Sequence, residues 1–139
     1  MPVRLDPDLD LQSNMIVAAG AGSGKTTALI ERMIAQVRAG CTPDKLVAIT
    51  FTRKAAGELQ ERFFSGLIEA RKIIAERVSD SPEDERALWT DELACIEDAL
   101  QRSEEAYIGT IHSFCARILR QFPVAAGLPP AFQQIQDAE

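Results

Sequence analysis

A lysine and a threonine follow a run of glycines near the start of this 139-residue chain, a combination typical of phosphate binding. Residues 19–27 read AGAGSGKTT and come directly after the apolar run 15–18. Glycine permits backbone conformations that bulkier residues avoid, so successive N–H groups can point at one anion. The Lys25 ammonium can then reach the β- and γ-phosphates of a nucleotide, and the Thr26 hydroxyl can ligate a bridging Mg²⁺.

The predicted nucleotide site covers this loop and the first turn of the helix after it. Its residues are Ala21, Gly22, Ser23, Gly24, Lys25, Thr26 and Thr27. The helix N-terminus adds partial positive charge, although Thr27 has the alternative role of an ordinary first-turn residue. The strict pattern G-x-x-x-x-G-K-[ST] has glycine where this chain has Ala19. We expect ATP and Mg²⁺ as cofactors, with Lys25 and Thr26 in the catalytic role and Thr26 as the metal ligand.

The apolar pattern predicts the strands and helices that hold this loop. Strands are expected at 14–18, 46–51 and 107–110, and helices at 26–39, from Arg53 onward, from Pro82 to about Ser103, and at 112–122. The first strand, the first helix and the second strand then form a βαβ unit. The helix that begins at Arg53 is expected to break near Gly66, because glycine weakens a helix interior.

Helical spacing also predicts which apolar side chains face the core. They are Leu59, Phe63, Leu67 and Ile68 in the second helix, Leu88, Leu93, Ile96 and Leu100 in the third, and Phe114, Ile118 and Leu119 in the fourth.

The charge is unevenly distributed along the chain. The formal net charge is −6, but residues 79–105 alone hold ten acidic and two basic residues, so the rest of the chain is slightly basic. An overall acidic composition therefore does not exclude a nucleic-acid partner. No apolar stretch approaches the ~20 residues that span a bilayer, so no membrane partner is expected. The three widely spaced cysteines indicate free thiols and a cytoplasmic location.

Three blocks of sequence, in order, resemble a known family. They are AGAGSGKTT at 19–27, ITFTRKAAGELQERF at 49–63 and IGTIHSFCARILRQFP at 108–123. Together they are similar to motifs I, Ia and Ib of the UvrD/Rep-like superfamily 1A DNA helicases, in the branch that holds AddA and RecB. The resemblance implies a RecA-like P-loop fold, with a parallel sheet flanked by helices and a helical excursion at about 66–104. It also implies an ATP-dependent DNA helicase that acts in DNA repair or recombination.

The same resemblance implies a set of DNA-binding residues at two strand ends. These are Thr50, Phe51, Thr52 and Arg53 after the second strand, and Thr110, His112 and Ser113 after the third. Some of them have alternative structural roles: Phe51 as a core residue, Thr52 as a helix N-cap, and His112 as a structural hydrogen-bonding residue.

By this resemblance, residues 1–139 correspond to the N-terminal part of helicase domain 1A. The implied partners are single-stranded or partly duplex DNA and a nuclease or helicase subunit. We expect the isolated chain to be inactive, because it has no later D-E-x-D/Q block to supply the water-activating glutamate. Two alternatives remain at this point: a non-catalytic nucleotide- or DNA-binding module, and a P-loop kinase. The kinase alternative leaves the second and third blocks unexplained.

Overall fold

Two short runs rich in β-forming residues make a small parallel sheet, and helices flank it. The computed structural model describes residues 11–18, 20, 22 and 24–132. In chain order its elements are α1 (Lys25–Arg38), β1 (Val47–Thr50), α2 (Arg53–Asp80), α3 (Glu83–Gln101), β2 (Tyr107–Thr110) and α4 (Ile111–Gln121). A 3₁₀ turn precedes each strand, at Pro43–Lys45 and Ser103–Glu105. None of the helices in this part of the chain is both long and apolar enough to cross a membrane.

The two strands pair in parallel, in a register that aligns Val47 with Tyr107 and Thr50 with Thr110. Parallel neighbours need a long crossover connection, and α2 and α3 supply it here. The strands predicted at 46–51 and 107–110 are therefore confirmed. The result is an α/β fold with its sheet flanked by helices.

The predicted first strand is wrong, because residues 14–18 form no strand in the structure. Ile16 is 97% exposed. A strand is stabilised by a ladder of hydrogen bonds to a neighbour, and within the described residues β1 and β2 pair only with each other. The segment is instead tethered to α1, since the Arg32 guanidinium donates to the carbonyl oxygens of Leu11 and Ser13. The predicted βαβ unit of residues 14–51 is therefore absent, and the observed parallel pair is β1–α2–α3–β2.

The core lies where α1, α2 and α3 meet the sheet. Its largest fully buried side chains are Phe63, Leu59, Leu67, Ile96, Val37 and Pro43. Trp89, Leu93 and Leu100 pack against this core from α3. The predicted inward faces of α2 and α3 are thus confirmed at most positions.

Four of the predicted core positions are wrong. Ile68, Leu88, Ile118 and Leu119 are exposed, Leu88 by 61%. Helical spacing identifies an apolar stripe, but burial of the stripe needs a partner element opposite it. In α4 only Ala116 is buried, so most of its apolar stripe faces outward among the described residues.

The predicted break near Gly66 is also wrong, because α2 continues without interruption for 28 residues. Packing explains the glycine. A Cβ added to Gly66 would lie 2.5 Å from the Cδ1 atom of Ile34 in α1. Glycine thus permits close approach of α1 and α2, and this tertiary contact outweighs its weak helix propensity.

Arg102 links the two 3₁₀ turns that lead into the strands. Its guanidinium contacts Asp44 at 3.2 Å, Asp98 at 3.2 Å and Glu105 at 2.7 Å. Hydrogen bonding from Arg102 lowers the pKa of Glu105, and hydrogen bonding to Thr42 is the largest cause that lowers the pKa of Asp44. This cluster lies at the N-terminal ends of β1 and β2.

At two glycines with open surroundings, substitution by alanine should change the free energy of unfolding in opposite directions. Gly57 lies inside α2 with helical backbone angles and nothing within 4 Å of an added Cβ, whereas Gly40 has a φ of 92°. We expect Gly57→Ala to raise the free energy of unfolding by about 0.5–1 kcal/mol, and Gly40→Ala to lower it because alanine is strained at positive φ. Urea denaturation of both variants measures this. Equal shifts in the two variants would contradict the backbone argument.

Candidate functional site

The glycine-rich loop takes the left-handed backbone conformations that its sequence predicts. Gly22 has a φ of 74° and Gly24 a φ of 84°, and Gly24 is the N-cap of α1. A Cβ added at Gly20 or Gly22 would meet nothing within 4 Å. The candidate residues Ala21 and Ser23, like Ala19, lie outside the described residues.

Lys25 is the first residue of α1, and its ammonium donates a hydrogen bond to the carbonyl oxygen of Gly20. The lysine side chain therefore lies back across the loop. The first turn of α1 contains no acidic residue. The partial positive charge of the helix N-terminus is thus not offset within that turn.

A cavity of about 360 Å³ adjoins the loop. It is lined by Gly22, Gly24, Lys25, Thr26, Thr27 and Arg62. Among the described residues, its lining holds two cations and two threonine side chains and no carboxylate. This combination favours binding of a polyanion with a metal ion. The cations can form charge-assisted hydrogen bonds with phosphate oxygens, and a threonine hydroxyl can ligate Mg²⁺. The predicted nucleotide residues among the described positions are therefore brought together.

The ends of β1 and β2 bring most of the second set of predicted residues together. Thr50 and Thr110 are register partners at the carboxyl ends of adjacent parallel strands. The Thr50 hydroxyl donates to the carbonyl oxygen of Thr52 at 3.0 Å, and lies 3.4 Å from that of Gly109. The carboxyl ends of parallel strands are where open α/β sheets bind ligands.

Two helices begin at this same edge, each capped by a threonine. The Thr52 hydroxyl accepts from the backbone N–H of Ala55 at 3.1 Å, and the Thr110 hydroxyl accepts from that of Ser113 at 3.3 Å. The expected capping role of Thr52 is therefore confirmed. Neither α2 nor α4 has an acidic residue in its first turn. Two uncompensated helix N-termini at one edge favour a bound anion.

We name this edge the strand-end surface and define it by Thr50, Phe51, Thr52, Arg53, Thr110 and Ser113. Phe51 is 85% exposed, so the alternative of a core residue is wrong. Arg53 is the first residue of α2 and is exposed. An exposed ring next to a cation and two helix N-termini can stack on a base while its neighbours bind phosphate.

His112 lies in the first turn of α4 and is exposed. It lines a second cavity of about 360 Å³ with Ile111, Cys115, Ala116, Leu119 and Phe132. The structure therefore groups His112 with the apolar side of α4. No described His, Cys, Asp or Glu residues form a group that could hold a metal ion.

Comparison with known proteins identifies the family. The family model for the UvrD/REP helicase N-terminal domain matches residues 6–139. The chain belongs to this family. The match over nearly the whole chain argues against the kinase alternative.

Curated relatives of this UvrD/REP helicase domain are described as subunits of an ATP-dependent helicase/nuclease. The chain is 36% identical over 128 residues to such a protein of Ligilactobacillus salivarius, covering 92% of this chain and 9% of the relative. It is 35% identical over 131 residues to the protein with the same description in Desulforudis audaxviator, with the same coverage. The Streptococcus agalactiae serotype Ia protein is 33% identical over 136 residues, which is 98% of this chain and 10% of the relative. The chain thus spans about a tenth of the length of these relatives.

Arg62 of this UvrD/REP helicase domain lines the cavity beside the loop and is not among the predicted nucleotide-binding residues. In sequence it belongs to a run of basic residues on α2 and follows no phosphate-loop pattern. Its place beside the loop results from the packing of α1 against α2. The one sequence signal for Arg62 is its position directly before the inward-facing Phe63. That signal can be interpreted only once the packing of α1 against α2 is known.

Proposed function

We propose that this chain is the ATP-binding part of an ATP-dependent DNA helicase or translocase that acts in DNA repair or recombination. Family membership, the cationic cavity beside the glycine-rich loop and the strand-end surface support the proposal. The fold proposed for the complete domain is the RecA-like P-loop fold. The parallel pairing of β1 with β2 and the long helical crossover are consistent with it. The relatives are named as subunits, so we also propose a nuclease or helicase partner subunit.

ATP with Mg²⁺ fits the residues that line the cavity. Lys25 and Arg62 would neutralise phosphate charge, the backbone N–H groups of the loop would donate to phosphate oxygens, and Thr26 would ligate the metal. When bound, ATP supplies a phosphoanhydride bond whose hydrolysis releases free energy. The task of these residues is to hold and orient the phosphates.

The strand-end surface is the proposed contact with single-stranded DNA. Phe51 supplies the stacking platform, and the capped N-termini of α2 and α4 supply backbone N–H groups and positive potential for phosphates. Arg53 adds a positive charge at the start of α2. His112 belongs to the proposed set through the family pattern, and its place in the lining of the largely apolar cavity beside α4 favours a coupling role over direct phosphate binding.

One helix reaches both sites, and this observation carries the proposal. Arg53 at the start of α2 belongs to the strand-end surface, and Arg62 of the same helix lines the nucleotide cavity. Nine residues of α-helix place them about 14 Å apart along the axis. A helicase must couple nucleotide binding to its affinity for DNA, and α2 provides a continuous physical connection between the two sites.

Removal of the stacking platform should weaken binding of single-stranded DNA. We expect Phe51→Ala to lose about 1–3 kcal/mol of binding free energy. Arg53→Gln should instead reduce the slope of log K against log salt by about 0.7, the value for one phosphate contact on a single strand. Fluorescence anisotropy of a labelled oligothymidylate at several salt concentrations measures both effects.

Matched variants elsewhere on α2 control for nonspecific effects. Phe64→Ala removes another exposed phenylalanine, and Arg71→Gln removes another exposed arginine. Both should bind DNA like the wild type. Equal losses in Phe51→Ala and Phe64→Ala would show that the strand-end surface is not the DNA contact.

A further inference from the structure

Arg117 of α4 lies over an aromatic ring, as Arg77 of α2 lies over Trp89. The guanidinium carbon of Arg117 lies 5.3 Å from the centroid of the Tyr107 ring. Within the described residues it forms no ion pair, whereas Arg38 pairs with Glu92 and Arg102 contacts three carboxylates. Arg117 is therefore held by an aromatic ring and keeps its full positive charge.

Stacking on a ring leaves the hydrogen-bonding capacity of a guanidinium intact. The group is planar, so a ring engages its flat face while its five N–H donors point outward in the plane. A carboxylate partner would occupy those donors and cancel the charge. Arg117 thus keeps both the charge and the donors that a phosphate requires.

The Tyr107 ring is itself fixed by several contacts. Its hydroxyl donates to the carbonyl oxygen of Thr110 at 3.2 Å, and the Phe114 ring lies 5.2 Å away. The Tyr107 side chain also covers Gly109, where an added Cβ would lie 2.7 Å from the Tyr107 hydroxyl oxygen. These contacts hold the Tyr107 ring at the end of β2, where Arg117 lies over it.

The direction of α4 continues the strand-end surface. The helix begins after its cap Thr110, and Ser113, Arg117 and Arg120 follow at intervals of four and three residues. This spacing places the three side chains on one helix face. All three are exposed. A polar and basic face therefore leads away from Thr110 along α4.

We propose that Arg117 is a phosphate contact for single-stranded DNA, held in place by Tyr107, and that it extends the strand-end surface along α4. Tyr107 is a positioning residue in this arrangement, and Gly109 is the residue that leaves room for its ring. The inference rests on the proposed DNA-binding function.

The salt dependence of oligothymidylate binding tests the contact. In the 139-residue chain we expect Arg117→Gln to reduce the salt slope by about 0.7 and to weaken binding about tenfold at low salt, as for loss of one charge-assisted contact. Arg71→Gln is the matched control for charge and should leave both values unchanged. Tyr107→Leu should reproduce the loss, while Tyr107→Phe keeps the ring and should restore most of the binding.

A spectroscopic signal separates positioning from a merely structural role. Tyr107 is the only tyrosine in the chain, so protein labelled with 3-fluorotyrosine gives one ¹⁹F resonance. Oligothymidylate should shift this resonance in the wild type and not in Arg117→Gln. Inorganic pyrophosphate at the same phosphate concentration should leave it in place, because the proposed ligand is the extended backbone of a strand.

The outcomes distinguish this inference from the function on which it rests. If binding depends on Phe51 while Arg117→Gln keeps the wild-type slope and the ¹⁹F shift, Arg117 is not a phosphate contact and the strand-end surface stands. If the wild-type chain binds no oligothymidylate at low salt, the strand-end surface itself is refuted, and the role of Arg117 with it. Trp89 fluorescence verifies folding, and if Tyr107→Leu does not fold, the exposed Arg117→Gln substitution decides alone.

Discussion

Lys25→Ala should abolish the stabilisation of this chain by Mg-ATP. With nucleotide at 100 times its dissociation constant, ligand binding raises the free energy of unfolding of the wild type by about 2.7 kcal/mol. The variant lacks the ammonium that lies across the loop and lines the cavity, so the negative charge of the phosphates is poorly offset. Thermal unfolding with and without Mg-ATP, followed by the fluorescence of the single tryptophan Trp89, measures the difference.

Two further variants sharpen this test. Lys72→Ala removes an exposed lysine of α2 that does not line the cavity, and should keep the full stabilisation. Arg62→Ala should lose part of it, because Arg62 is the second cation of the lining. Identical Mg-ATP shifts in the wild type and Lys25→Ala would refute the nucleotide site. If Arg62→Ala keeps the full stabilisation by Mg-ATP, Arg62 is not part of the nucleotide site, and the rest of the site is unaffected.

Phe63→Ala should destabilise the fold more than any surface substitution. Phe63 is 2% exposed and packs in the central cluster with Leu59 and Leu67. Loss of a buried phenylalanine costs about 3–5 kcal/mol, through lost hydrophobic transfer and the cavity that remains. Because domains of this kind are stable by only about 5–15 kcal/mol, a substantial fraction of the variant should be unfolded under mild denaturing conditions.

The adjacent phenylalanine provides the control. Phe64 is 43% exposed, so Phe64→Ala changes the same side chain in the same helix with much less loss of packing. We expect its urea midpoint to lie near that of the wild type, and that of Phe63→Ala far below it. Similar midpoints for the two variants would show that the described core does not govern stability.

Sequence patterns correctly predicted the elements whose conformation depends mainly on residues close by in the sequence. The strand at 107–110 was predicted with its observed bounds, because a short β-rich run comes directly before a stretch with helical spacing. The glycine-rich loop was predicted because left-handed backbone conformations demand glycine at Gly22 and Gly24. The family resemblance placed Thr52 and Thr110 at the strand ends, and the register of the sheet brings Thr50 and Thr110 side by side.

Features that depend on distant partners could not be predicted in this way. Residues 14–18 have a strand-like composition, but the pairing of strands is decided by elements far away in sequence. The exposure of Leu88 and Ile118 likewise depends on which elements pack against α3 and α4. Gly66 weakens a helix by propensity alone, yet its close approach to Ile34 accounts for its presence. Arg62 joined the nucleotide cavity for the same reason, since only the pairing of α1 with α2 places it there.

The length of α2 has a practical consequence for labelling this protein. The helix runs from Arg53 to Asp80, so its far end lies about 40 Å along the axis from its start and about 27 Å from Arg62. Ser81 and Pro82 form the short link to α3 at that far end. Exposed loop tips remote from functional residues accept insertions well. A fluorophore or affinity tag inserted between Ser81 and Pro82 would therefore lie far from both the nucleotide cavity and the strand-end surface and should contact neither.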